Sequence, residues 1–184
     1  MKTPGVYIVE KSAFPNSVVE APTAIPAFIG ITEKAVNGAD SLSGKPWKIT
    51  SMTEFQQYFG GAPAPEFRLS VVDYPEKDAS KTFYGIPSPD KSKLLRVEAP
   101  EVTFSLYYQM VMFFANGGGT CYIVSAGTYD QKSLIDKEKV VAALTALKKE
   151  QEITMVLVPE AVSVDECKDI QTQVLAHCGE MMNR

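Results

Sequence analysis

The sequence predicts an α/β fold, and three observations carry the prediction. Residues 121–124 (CYIV) and 153–158 (ITMVLV) are short β-branched and apolar runs of strand type. Behind each comes a stretch of helical periodicity, first Val140, Val141, Leu144 and Leu147, then Val164, Cys167, Ile170, Gln171, Val174, Leu175 and Cys178. A further strand-type run, AFIGIT at 27–32, lies far upstream. Strand, helix, strand, helix in this order argues for a right-handed βαβ unit, hence a mixed, largely parallel sheet with flanking helices. An extended N-terminal β-arm and an irregular inserted loop region complete the expected architecture.

Residues 1–24 are the arm and its tether. TPGVYIVE at 3–10 is a compact strand candidate, bracketed by Pro-Gly and by charge. Phe14, Pro15 and Asn16 follow, then Pro22 and Pro26, so the tether should be extended and poorly able to join the middle of a sheet. Val6, Tyr7, Ile8 and Val9 either fold back as an edge strand of their own domain or add a strand to another subunit.

Residues 25–61 open the body. The run at 27–32 is its first strand, and after a polar turn at Asn37-Gly38 the residues Trp47, Lys48 and Ile49 form a second. Ser51 and Glu54 make a capping box, Met52, Phe55, Tyr58 and Phe59 recur at helical spacing, and Gly60-Gly61 ends the helix. The aromatic stripe is expected in the core.

Residues 62–102 differ. Prolines at 63, 65, 75, 87, 89 and 100 break every period, while lysines and acidic residues alternate along a solvated face. A hairpin between 81–86 and 94–97 is the most this inserted loop region should form.

Residues 103–184 carry the βαβα part. Tyr107 to Ala115 is apolar nearly all round, the pattern of a helix buried on most sides. Asn116 and Gly117 can end it in a left-handed cap. The strand at 121–125 and the helix at about 136–149 come next. Residues 153–158 read as a strand covered on both faces, adjacent to 121–125, with Leu157 in a dry core. Ser163 and Glu166 form a second capping box before the last helix. Either strands from 27–49 complete the sheet or further chain follows Arg184; the second is the expectation.

Composition excludes several classes of function. A hydrophobic share of 45% can fill a core, and a net charge of -4 offers no electrostatic footprint for nucleic acid. The longest apolar stretch is too short to span a bilayer, and Met1, Lys2, Thr3 and Pro4 lead into a strand and not into a signal peptide. Cys121, Cys167 and Cys178 are odd in number and lack motif spacing, as expected of free thiols in a reducing cytosol. His177 is the single histidine. Positions 167 and 178 lie about 16 Å apart along one helix, too far to share a metal or a disulfide. No G-x-S-x-G elbow is present, and the three glycines at 117–119 precede a strand, where a phosphate loop would open a helix. The expectation is no catalysis, no metal and no cofactor.

Five segments in order resemble the tail sheath proteins of contractile injection systems: TPGVYIVE at 3–10, IPAFIGIT at 25–32, FQQYFGG at 55–61, FFANGGGTCYIV at 113–124 and EITMVLVPEA at 152–161. The N-terminus is most similar to the branch of extracellular phage-tail-like injection particles. The resemblance spans nearly the whole chain outside 62–102 and corresponds to an N-terminal portion of the longer family members. It implies a structural subunit that stacks in rings around an inner tube, in the company of baseplate and cap proteins, and contracts to drive the tube through a target envelope. Extended arms exchanged between neighbours, here Val6, Tyr7, Ile8 and Val9, would link the subunits. Assembly in the cytoplasm is implied, as part of a phage tail or a particle released outside the cell, with no nucleic-acid contact and no membrane insertion by this subunit. The residues alone leave two other classes open. A stand-alone α/β ligand-binding module would be monomeric with a bound small molecule, and a degenerate hydrolase would show turnover.

Overall fold

The computed structural model describes residues 24–64, 67–73, 84–90, 92–98, 104–129 and 135–184. In chain order the elements are β1 (Pro26–Thr32), β2 (Val36–Asn37), β3 (Asp40–Ser41), β4 (Trp47–Ile49), α1 (Met52–Phe59), β5 (Arg68–Asp73), β6 (Tyr84–Pro87) and β7 (Lys93–Glu98). After these come α2 (Leu106–Ala115), β8 (Cys121–Thr128), α3 (Lys137–Leu147), β9 (Met155–Leu157), a 3₁₀ turn (Pro159–Ser163) and α4 (Cys167–Met181).

The fold is mixed α/β. Its main sheet has the order β4-β8-β1-β9, with β8, β1 and β9 parallel and β4 antiparallel at one edge. All seven residues of β1 are buried, because its side chains alternate between two apolar layers. Ala27 and Ile29 join Tyr122 and Val124 of β8 against Val140, Leu144 and Leu147 of α3 and Ile170 of α4. Phe28 joins Cys121 and Ile123 against Phe55 and Phe59 of α1 and Leu106 and Met110 of α2. Helices thus cover the sheet on both faces. Among the described residues no helix is long and apolar enough to cross a membrane.

Local chemistry sets the helix ends. Ser51 Oγ accepts the Glu54 N–H at 3.2 Å, and the Glu54 carboxylate reaches back one residue further than a capping box requires, to Thr50 N at 2.6 Å. Gly60 stops α1 at φ +91°, where a side chain would collide with Glu33. α2 ends in a Schellman motif at Gly117 (φ +84°), with Gly118 N on Phe113 O at 2.9 Å and Gly117 N on Phe114 O at 3.1 Å. Asp136 caps α3 by accepting from Lys139 N at 2.8 Å.

Several expectations need correction. β8 and β9 are not adjacent: β1 lies between them, pairing Ala27 with both Tyr122 and Val156. The reason is two-sided burial. β1 is apolar along its whole length on both faces, whereas β9 pairs over three residues at the edge and leaves Met155 and Leu157 exposed. Leu157 is therefore not in a dry core; that place belongs to Ile153, fully buried just before β9 begins. β1 and β4, from residues 26–49, join β8 and β9 in the four-stranded sheet of the described residues.

Helix burial also departs from the pattern. α2 buries only Leu106 and Met110 and leaves Tyr108 and Met112 half exposed, because one helix face suffices to cover the sheet. Ser163 and Glu166 do not box a helix start, since the 3₁₀ turn occupies 159–163 and α4 begins at Cys167 without a side-chain cap. Glu166 instead accepts from Lys137 N, at the start of α3, at 3.0 Å. Val141 and Leu175 face solvent and not the core.

Within 62–102 the described residues form a three-stranded antiparallel sheet, order β5-β7-β6. The expected hairpin is the β6–β7 pair, with Ile86 opposite Leu95. β5 was not expected from the sequence pattern. Leu69 and Val71 fall opposite Val97 and Leu95, and that face of the sheet is apolar.

Candidate functional site

In open α/β sheets, ligand chemistry gathers at the carboxyl ends of the parallel strands. Here those ends bring together Thr32 and Glu33 after β1, Ser125 and Tyr129 at the end of β8, and Glu160 in the turn after β9.

Glu160 is the centre of the group. Pro159 begins the 3₁₀ turn and swings Glu160 inward, where it is 2% exposed. Its Oε2 accepts from Ile31 N at 2.8 Å, and its Oε1 accepts from Ser105 N at 3.1 Å and Leu106 N at 3.3 Å. Each donor needs this partner for a separate reason. The β1–β8 register shifts between Gly30 and Ile31, and a bulge of this kind leaves a ladder donor without its usual acceptor. Ser105 and Leu106 open α2, whose first N–H groups have no intrahelical acceptor, and Ser105 makes no side-chain cap. A carboxylate from a segment 54–129 positions away caps α2 and stitches the bulge. Gly30 leaves room beside it, because a Cβ there would press within 3.0 Å of Leu106 Cδ2 and 3.2 Å of Glu160 Oε2. Burial pushes the Glu160 carboxyl above its ordinary range, and the three N–H donors pull the other way.

The hydroxyls beside Glu160 are committed in the same manner. Thr32 Oγ1 and Ser125 Oγ lie 2.6 Å apart, with Lys34 O and Gly127 O as further acceptors at 2.8 and 3.1 Å. Tyr129 donates from its hydroxyl to Gly61 O at 3.2 Å and stacks on Phe104 at 4.8 Å between ring centroids. Burial, with Glu160 nearby, raises the Tyr129 phenol. Glu33 accepts from Gly61 N at 2.6 Å, pinning the end of α1 to the end of β1. The whole arrangement clamps backbone to backbone. Its polar atoms face one another across elements, and none of the hydrogen bonds pairs a nucleophile with an imidazole.

The sequence-predicted site residues Val6, Tyr7, Ile8 and Val9 lie outside the described residues. The three cysteines are free, Cys121 buried and the other two half-buried. Burial, with a contribution from Glu54, pushes the Cys121 thiol up to about 12. His177 is brought to Arg184, 3.3 Å from its Nη1, and to neither cysteine by hydrogen bond. Among the described residues no group of three or more His, Cys, Asp or Glu could hold a metal ion. Sequence reasoning missed Glu160. Its signal was an acidic residue directly behind the proline that closes an apolar run.

No protein-family model matches the chain, and no curated protein matches it.

Proposed function

We propose that this chain is a structural subunit of a contractile tail sheath, polymerising around an inner tube and contracting to drive it through a target envelope. Supporting the reading are the five segments that resemble sheath proteins in order, together with an α/β body whose buried polar groups serve as internal clamps. The observation that carries it is the open edge of the main sheet. β9 ends the sheet among the described residues, with Met155 and Leu157 exposed beside it. The described chain begins beside the start of β9, where Ile25 O accepts from Thr154 N at 3.0 Å just before β1. An open edge is a template for strand addition, and a strand-forming segment tethered beside one suits a subunit that links to its neighbours.

On this reading the body moves as one piece during contraction, while Val6, Tyr7, Ile8 and Val9 keep neighbours connected. The partners are further copies, the inner tube, the baseplate and a cap. Assembly takes place in the cytoplasm, in a phage tail or a tail-like particle.

Electron microscopy of the protein co-expressed with its tube tests the proposal. Long helical sheaths of stacked rings are expected. Deleting residues 1–10 should abolish them while circular dichroism stays unchanged. A protein that remains monomeric with the tube present would refute the assignment.

A further inference from the structure

Residues 182–184 close over the end of α3. Met182 takes the left-handed conformation (φ +58°) with its N–H on Cys178 O at 3.0 Å, which turns Asn183 and Arg184 back toward that helix. Carbonyls at a helix C-terminus lack intrahelical donors and carry partial negative charge. Arg184 Nη2 donates to Glu150 O at 2.7 Å and Nη1 to Leu147 O at 3.3 Å. Asn183 Nδ2 adds a bond to Gln151 O at 3.0 Å.

The same Nη1 lies 3.3 Å from Nε2 of His177, whose side chain is 4% exposed. A guanidinium only donates, so Nε2 must accept. The imidazole is therefore neutral, with its proton on Nδ1, which has no hydrogen-bond partner among the described residues.

We propose that His177 and Arg184 form an acid-released latch: neutral His177 accepts from Arg184 and locks the final turn over the end of α3, and a proton on His177 opens it. Protonation occupies the Nε2 lone pair and sets two cations face to face in a part-buried site. The charged groups facing the ring are Arg184 from the final turn, Lys148 from α3 and Glu180 from its own helix. Arg184 and Lys148 oppose a second positive charge. Glu180 would favour it, but Lys148 already holds that carboxylate at 2.7 Å. Burial, then Arg184, therefore holds the imidazole below its ordinary range. A free imidazole titrates near pH 6.5. On acidification the opened chain takes up the proton first. The latch is fully closed above about pH 6.5 and is lost as pH falls through the lower, native midpoint.

The chain has one histidine, so a single imidazole NMR signal reports the titration directly. The expected midpoint lies below that of a free imidazole, and Arg184→Met should raise it. Hydrogen exchange at residues 148–151 and 178–184 should quicken, beyond the intrinsic pH effect, between about pH 7.5 and about pH 5. The opening constant rises by up to about tenfold per unit between native and opened midpoints. His177→Gln keeps an uncharged acceptor for Arg184 at every pH, so its protection should not change. A midpoint unmoved by Arg184→Met would overturn the latch. So would acid loss of protection in H177Q equal to that of the wild type.

Discussion

Glu160 accepts one bond through Oε2 and two through Oε1, and all three donors are main-chain N–H groups. Truncation to alanine would remove the acceptor from two buried donors, Ile31 N and Leu106 N, and from the part-buried Ser105 N. Each buried unpaired donor costs about 1–3 kcal/mol, and partial relaxation should bring Glu160→Ala to about 2–4 kcal/mol. Glu160→Gln keeps the shape but turns one acceptor into a donor facing a donor, for about 1–3 kcal/mol. Urea unfolding should show both as lowered midpoints with an unchanged slope, alanine the lower. If Glu160→Ala unfolds within about 0.5 kcal/mol of the wild type, the carboxylate is not the clamp described. Almost none of this was legible in the sequence. A glutamate after Val158-Pro159 looks like ordinary surface charge until a bulge and a helix start, both distant along the chain, come within reach of it.

Elements with strong local chemistry could be read from the residues, while those defined by their neighbours could not. β1, β4, α1 and α3 follow their patterns because caps, glycines and apolar spacing are written within a few residues. The run at 153–158 is as apolar as the run at 27–32, yet one became an edge of three residues and the other the centre. Centrality depends on how many strands flank an element, and no local period encodes that. Leu157 and Ile153 test the difference. Ile153→Asp places a carboxylate in the fully buried layer and should cost about 4 kcal/mol or more, enough to lose the cooperative thermal transition. Leu157→Asp, at a position 38% exposed, lets the charge reach water and should shift the transition by only a few degrees. The reverse order of the two variants would restore the central placement of 153–158. The β5–β7–β6 sheet escaped the pattern for another reason: five flanking prolines, and Pro87 at the end of β6 itself, hid strands that need only edge-tolerant pairing.

At the scale of the molecule, the main sheet is assembled from the two ends of the sequence. Thr32 meets Ser125 across 93 positions, and Ile25 meets Thr154 across 129. A chain ended at residue 150 would lose β9, Glu160 and α4 together, exposing β1 along one edge and Ala27 and Ile29 on one face. Such a fragment should show no cooperative unfolding by circular dichroism, and a sharp transition from it would mean that β4, β8 and β1 suffice with the first three helices. The same topology has a consequence for biosynthesis. Ribosomes add about 5–20 residues per second, so on the order of ten seconds separate the emergence of β1 from that of its last partner. Until β8 emerges AFIGIT is an apolar strand with neither ladder partner, and one of its edges stays open until β9 follows; both contacts are non-local and slow to form. Overproduction faster than the strand can find its partners should therefore send the chain into inclusion bodies.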